Sequence, residues 1–357
     1  MITLVLTNRD RDRRIVKKCL ESLEKQSEKD FELFLVDYGS SEDYLSEIEK
    51  IIFEYPKIQF INCPVSGQLW NKSRAINIAL KRAKFSYFLV GDIDLIFHPD
   101  FILTAKSMAK PAEVHYFQYG FLSPEESLHE KEFEEYKIDF FGNDEITGTT
   151  LFPTNELMSV NGYDEFYHGW GAEDTDVHLR LKNKGIDIIF QDQKNLIKHQ
   201  WHPKAYRSKE SSHPFHSRLE QVNQSYMRMT NSSLRSKINI RSDWGMIPLV
   251  SDYKKLLEGG TDHKFILDQE EVKLSALLMQ LENFENETVE IIIRQVDKKE
   301  KVKEFVKRLL GKKSKIYVNL QTINDRILES IIFSYRNNPY QYYFLREKGE
   351  IKLKIKL

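Results

Sequence analysis

Asp92-Ile93-Asp94 closes the apolar run Tyr87-Phe88-Leu89-Val90-Gly91. At a strand end, carboxylates one residue apart point to the same side. Hard oxygen ligands of this kind suit Mg2+ or Mn2+, and such an ion can bridge the phosphates of a nucleotide. Downstream, His199-Gln200-Trp201-His202 offers two imidazoles. One or both complete the metal shell, and imidazole added to carboxylate favours Mn2+ over Mg2+. Between these clusters lie Gly162-Tyr163-Asp164-Glu165 and Gly169-Trp170-Gly171-Ala172-Glu173-Asp174. A tryptophan between glycines is exposable, and its flat face suits the apolar face of a pyranose. Glu173 and Asp174 open a predicted helix reaching Asn183, where the helix dipole favours an ionised carboxylate. An ionised carboxylate within hydrogen-bond reach of a hydroxyl can act as its base. Acidic residues also begin helices for capping alone; the adjacent tryptophan turns the reading toward chemistry. A metal clamp, an aromatic platform and a base suggest transfer of a sugar from a nucleotide.

Basic residues supply the matching charge. Arg9, Arg11, Arg13 and Arg14 follow the first apolar run, and guanidinium groups there can meet a diphosphate. Asp10 and Asp12 lie among them, so at least two of the four are expected to be a solvated, neighbour-balanced helix start. Lys72 and Arg74 open the helix before the Asp-Ile-Asp strand and are further phosphate or ribose candidates. Asp37, followed by the turn Tyr38-Gly39-Ser40, can accept a hydrogen bond from a base N–H.

The elements that must position these groups alternate. Thr3–Leu6, Phe31–Val36, Ile58–Ile61 and Tyr87–Val90 are continuous apolar runs of buried-strand length. Helical patterns separate them: Ile15, Cys19, Leu20 and Leu23; Tyr44, Ile48, Ile51 and Ile52; then Ala75, Ile76, Ala79 and Leu80. Repeated strand–helix units predict an α/β, doubly wound, mostly parallel sheet. Ligands of such sheets sit at strand carboxyl ends, where Thr7, Asp37, Asp92 and Asp94 all fall.

Thr7-Asn8-Arg9, Val36-Asp37-Tyr38-Gly39-Ser40, Asn71-Lys72-Ser73-Arg74-Ala75-Ile76-Asn77 and Asp92-Ile93-Asp94 resemble, in order, the donor-site motifs of family-2 glycosyltransferases with the GT-A fold. The stretch from Asn161 to Gly185 resembles the acceptor segment of β-1,4-galactosyltransferases and bacterial chondroitin-polymerase-type enzymes. The resemblance covers roughly residues 1–205 and implies an inverting, metal-dependent hexosyl or N-acetylhexosaminyl transfer from a UDP-sugar to a glycan, as in bacterial-type surface polysaccharide synthesis. It implies a donor site of Thr7, Arg9, Arg11, Asp37, Lys72, Arg74, Asp92 and Ile93, with Asp37 on uracil. The metal, Mn2+ or Mg2+, would be held by Asp94, His199 and His202. Trp170, Gly171 and Asp176 would meet the acceptor, with Asp174 as base beside Glu173. UDP-galactose or UDP-N-acetylgalactosamine is favoured by the likeness around Trp170. Two positions depart from the pattern. Tyr38 stands where the family often has a second acidic residue, and Thr175 where galactosyltransferases carry a further Asp.

The 357 residues, 41% hydrophobic, suffice for one large domain and a smaller one. The expected division is a transferase domain over 1–258, with a polar loop or lid at 207–243, and a small α/β module over 261–357. Formal net charge is −1, so no overall field points to nucleic acid. Two cysteines, Cys19 and Cys63, give no disulfide framework, and a reducing cytoplasm is expected. No segment has the ~20 apolar residues of a membrane span. In the module, a long amphipathic helix is expected from Phe265 to Phe284, and strands at Val289–Ile293 and Ile316–Leu320. Residues 297–315 carry nine Lys/Arg against three acids, with Val302, Phe305, Val306, Leu309 and Leu310 on one helical face. That face is expected to pack on its own sheet; the other reading is peripheral contact with an anionic membrane near a lipid-linked acceptor. A binding protein without turnover is the competing function. A nucleotidylyltransferase ranks last, because Thr7-Asn8-Arg9-Asp10-Arg11 is no glycine-rich phosphate loop.

Overall fold

The computed structural model describes residues 1–203, 217–240 and 243–357, which cluster into two compact units. Unit one comprises Met1–Cys63, Trp70–Pro203 and Val222–Ile247. Its strands are β1 (Ile2–Asn8), β2 (Phe31–Tyr38), β3 (Ile58–Cys63), β4 (Tyr87–Asp92), β5 (Leu95–Phe97), β6 (Glu113–Phe117), β7 (Gly120–Leu122), β8 (Ile138–Phe141), β9 (Thr150–Pro153), β10 (Asp187–Gln191) and β11 (Ile197–His199). Its helices are α1 (Arg13–Glu24), α2 (Glu42–Phe53), α3 (Lys72–Leu80), α4 (Phe101–Met108), α5 (Thr154–Ser159) and α6 (Glu173–Asn183).

Seven strands form one sheet in the order β10-β6-β9-β4-β1-β2-β3. Every pairing is parallel except those of β9, which runs against β4 and β6. From β1 the chain winds to β2 and β3 on one side, then crosses to β4 on the other. The reversal opens a crevice at the carboxyl ends of β1 and β4, the ligand position of wound sheets. Thr7 and Asp92 lie opposite each other there. Leu4, Leu6, Leu35, Leu89, Ile93 and Phe97 are among the buried side chains of the core on one face of this sheet. A second sheet, β5-β11-β7-β8, follows the turn after Asp92.

Helix α7 (Ser217–Ser232) falls within the stretch expected to be a loop or lid; its residues 217–221 cluster with unit two and 222–232 with unit one. Residues 233–240 of that stretch are not helical. Leu219, Asn223 and Thr230 are buried at helical spacing, but two of the three are polar, so a hydrophobic period could not reveal the helix. Arg207, Lys209, His213 and His216 lie outside the described residues.

Unit two comprises Pro64–Leu69, Pro248–Leu357 and, of the described residues, 217–221. It holds α8 (Val250–Glu258), β12 (His263–Leu267), α9 (Glu271–Gln280), β13 (Thr288–Arg294), α10 (Lys298–Leu309), α11 (Leu320–Ser330), β14 (Tyr340–Leu345) and β15 (Glu350–Lys356). Its sheet runs β12-β13-β15-β14. Helix α8, assigned from sequence to the first domain, clusters here. The helix expected from Phe265 begins only at Glu271, because Phe265–Leu267 pair with β13. Asp268 then accepts a bond from the Glu270 amide and turns the chain. Ile316–Leu320 is not a strand. Tyr317 makes a single bridge to Glu270, and Asn319 caps α11 by accepting from the Thr322 amide at 2.7 Å. On α10 the apolar stripe does not pack on the sheet: Val302, Phe305 and Leu309 are exposed while Glu304 is buried.

Candidate active site

The crevice is built by the ends of β1 and β4, the first turn of α3, and the loop into α6. Strand β4 ends at Asp92, so Asp92 and Asp94 flank a turn rather than alternate along a strand. Their side chains serve different partners. Asp94 faces β11: its backbone carbonyl accepts from the Gln200 amide at 2.9 Å, and His199 pairs opposite Leu95. Asp94 Oδ1 lies 3.6 Å from His199 Nε2, and Oδ2 lies 3.1 Å from His202 Nε2. One ligand atom from each of the three lies within 4.8 Å of the others.

Arg11 also reaches Asp94, Nη2 to Oδ2 at 3.1 Å. Burial disfavours the Asp94 carboxylate, but His199, the His202 hydrogen bond and Arg11 outweigh it and hold its carboxyl well below the usual range. Burial pushes the His199 imidazole down against the pull of Asp94, which favours the neutral form able to ligate a metal. Asp94 Oδ1 is buried and has no hydrogen-bond partner among the described residues. One carboxylate with an orphaned oxygen and two imidazoles form a set that could hold a metal ion.

Asp92 faces the other way. Lys72, first residue of α3, places Nζ 3.0 Å from Asp92 Oδ1, 3.0 Å from Asp174 Oδ2 and 3.9 Å from Glu173 Oε1. Asn71 caps that helix, accepting from the Arg74 amide at 2.8 Å and donating to the Glu165 carbonyl at 2.9 Å. Burial opposes the Lys72 charge, yet Asp174, Asp92 and Glu173 together raise its pKa well above the ordinary value. Burial, then the charges of Glu173 and Asp92, raise the Asp174 carboxyl, with Lys72 opposing. Asp174 Oδ1 is buried and finds no hydrogen-bond partner among the described residues. Gly148, unmarked in the sequence, backs this corner: a Cβ there would lie 2.7 Å from the Tyr119 hydroxyl and 3.0 Å from Asp92 Oδ2.

Trp170 is 50% exposed. Its loop is left-handed at Gly169, Gly171 and Ala172 (φ 77°, 93° and 79°), and Ala172 caps α6 without a side-chain bond. Glycine relieves two of these positions; a left-handed alanine costs roughly 1 kcal/mol, strain held by the surrounding structure. Asn223 of α7 secures the loop, its buried amide donating to the carbonyls of His168 at 3.1 Å and Trp170 at 3.2 Å. Tyr226, one turn on, stacks on Phe166 at 3.9 Å and donates to Asp164. Sequence reasoning missed both. The cue was polar residues recurring at helical spacing.

Several expected site residues have other work. Asp176 is buried on α6 and accepts from Arg180 Nε at 2.6 Å, while Arg180 also donates to the carbonyls of Val160 and Gly162. It anchors the helix through Oδ2, and its Oδ1 is buried without a hydrogen-bond partner among the described residues. Ile93 buries its side chain in the core, so it offers a donor no side-chain contact. Asp37 is fully buried and accepts from Asn8 Nδ2 at 2.7 Å, the Ser40 amide at 3.0 Å and the Ser40 hydroxyl at 2.7 Å. It fixes the turn after β2 and exposes no oxygen to a base. Thr7 is also buried, at the crevice floor. Arg13 and Arg14 are surface residues paired with Glu47 and Asp12, as expected for two of the four arginines. Arg9 is half-buried just past β1, and Arg74 donates to the Met246 carbonyl.

Residues 3–153 match the family described as glycosyl transferase family 2, and residues 129–203 match the N-terminal domain of galactosyltransferase. Chondroitin sulfate synthase 3 of Mus musculus is 25% identical over 182 residues, 48% of this chain and 20% of that protein. Beta-1,4-galactosyltransferase 1 of Bos taurus is 25% identical over 126 residues, 34% of this chain and 27% of that protein. The chain thus spans about a fifth to a quarter of the length of these relatives. A crystal structure of S. aureus TarS 1-349 with UDP-GlcNAc superposes with a TM-score of 0.44 at 16% identity, covering 65% of this chain and 71% of that one.

Proposed function

Taking residues 3–203 as a glycosyltransferase stretch of family-2 type with a GT-A fold, we propose that the chain is an inverting glycosyltransferase moving a hexose or N-acetylhexosamine from a UDP-sugar to a glycan hydroxyl. The observation that carries this reading is Lys72, whose ammonium lies 3.0 Å from both Asp92 and Asp174. It bridges the turn after β4 and the first turn of α6, the two segments that the proposed reaction needs beside each other.

In the proposed reaction Trp170 stacks on the acceptor sugar and orients it over α6. Asp174 Oδ1 takes the proton of the attacking hydroxyl as that oxygen bonds to the anomeric carbon. The bond from that carbon to the β-phosphate oxygen breaks, and UDP leaves with the electron pair. Inversion follows from single displacement, with no protein nucleophile. Lys72 neutralises charge between the base and the departing diphosphate, and Arg9 and Arg74 meet the nucleotide. A divalent ion, Mn2+ or Mg2+, on Asp94, His199 and His202 would supply Lewis-acid stabilisation of the diphosphate. Burial and the charges of Glu173 and Asp92 raise the Asp174 carboxyl, which makes its carboxylate a stronger proton acceptor. We place the donor as UDP-galactose or UDP-N-acetylgalactosamine, the compartment as cytoplasmic, and the process as surface polysaccharide synthesis.

The test is UDP release from a panel of UDP-sugars with Mn2+ and glycan acceptors. Turnover is expected from the wild-type chain and not from Asp174→Asn. UDP release from none of the donors, with UDP-sugar still bound, would leave a binding protein in its place.

A further inference from the structure

Helix α10 is inside out. An amphipathic helix in a globular protein turns its apolar stripe to the core. Here Val302, Phe305, Val306 and Leu309, spaced to share one face, are 62%, 50%, 46% and 70% exposed, and Leu310 continues the patch at 64%. The side turned inward carries Glu304, 4% exposed, which accepts from Lys307 Nζ at 2.5 Å and the Lys315 amide at 2.8 Å. Glu304 is thus satisfied within α10 and the segment that follows it, while the apolar stripe meets water. Around that stripe, residues 297–315 hold nine Lys/Arg against three acids.

We propose that α10 docks on an anionic lipid bilayer, its apolar stripe sinking to the headgroup–acyl boundary and its flanking lysines meeting lipid phosphates. Such a surface satisfies both halves of the pattern. A second copy of this chain would cover the stripe but set one excess of positive charge against another. A nucleic acid would match the charge and leave the apolar side chains in water. Basic amphipathic helices partition by these two terms together, buried apolar area and attraction to anionic headgroups. The proposal stands apart from the transfer chemistry and uses none of its residues.

The full chain is sedimented with vesicles of phosphatidylcholine alone, and of two parts phosphatidylcholine to one part phosphatidylglycerol. Binding is expected to be about tenfold or more stronger on the anionic vesicles and to weaken as salt is raised. Phe305→Ser with Leu309→Ser should reduce binding by about tenfold or more. Because both side chains are exposed, the thermal unfolding of that variant should match wild type. Lys298→Glu with Lys303→Glu should act likewise on the anionic vesicles alone. The proposal fails if wild type ignores anionic vesicles, or if the serine variant binds as wild type does. It also fails if the serine change dissolves a dimer seen by gel filtration, or if the chain retains duplex DNA and not vesicles. UDP release from soluble acceptors by the serine variant should equal wild type, so failure here leaves the transferase reading untouched, and the reverse.

Discussion

Asp174 and Asp176 stand two residues apart on one helix turn, and the fold gives them opposite tasks. Each keeps one buried oxygen without a partner among the described residues, but Asp174 pairs its other oxygen with Lys72 at the crevice and Asp176 pairs its own with buried Arg180. Asp174→Asn is expected to lower UDP release by about a hundredfold or more while UDP-sugar binding, followed by calorimetry, persists. Asp176→Ala leaves a buried guanidinium unpaired and should cost about 3–5 kcal/mol in urea unfolding, whatever its effect on turnover. A change in acceptor KM without loss of stability would return Asp176 to the acceptor site. On the metal side, His199→Ala and His202→Ala should each weaken Mn2+ binding about tenfold or more, read by titration in the presence of UDP. Retained affinity in one of them would assign that histidine to packing.

At the scale of elements, the proposed acceptor platform at Trp170 depends on α7, which supplies none of the residues proposed to do the chemistry. Asn223 of α7 holds the carbonyls on either side of Gly169, and Gly169 itself donates its amide to the Trp70 carbonyl at 2.8 Å. Asn223→Ala removes two buried hydrogen bonds and should cost about 1–3 kcal/mol of stability. The same variant should raise acceptor KM while donor KM stays near wild type, because only the Trp170 loop is loosened. Equal effects on both constants would point to general unfolding instead. Gly148 makes the complementary case for the donor side. Gly148→Ala would press on the Tyr119 hydroxyl and the Asp92 carboxylate, and donor KM should rise with little change in acceptor KM.

For the whole molecule, stability should depend on pH through His178. This ring is buried on α6 with Nε2 3.0 Å from the Thr150 hydroxyl, and burial pushes its pKa down to about 3 from 6.5. Between those values the unfolded chain takes up a proton that the folded chain refuses. Stability from this group is therefore full above pH 6.5 and falls as the pH is lowered below it. The melting temperature should drop between pH 7 and pH 5, and His178→Gln should flatten that slope. An unchanged slope would mean that His178 is accessible to solvent protons in the fold. No helix among the described residues is long and apolar enough to cross a membrane.

The parallel core was legible before any coordinates, because strands buried on both faces must be apolar throughout, as Leu4 to Leu6 and Leu89 to Val90 are. Side-chain types also picked out Asp94, His199 and His202, which the fold brings within 4.8 Å of one another, and the glycine-flanked Trp170, which it leaves half-exposed. Partner choice was decided only by the tertiary structure. Whether a carboxylate faces a ligand or a buried arginine depends on which distant segment folds beside it: β11 for Asp94, α3 for Asp174, Ser40 and Asn8 for Asp37, Arg180 for Asp176. Local patterns could not foresee α7, whose buried side is polar, or the outward turn of the α10 stripe. Both are settled by long-range packing, and a hydrophobic period reports only what is apolar, not which way it points.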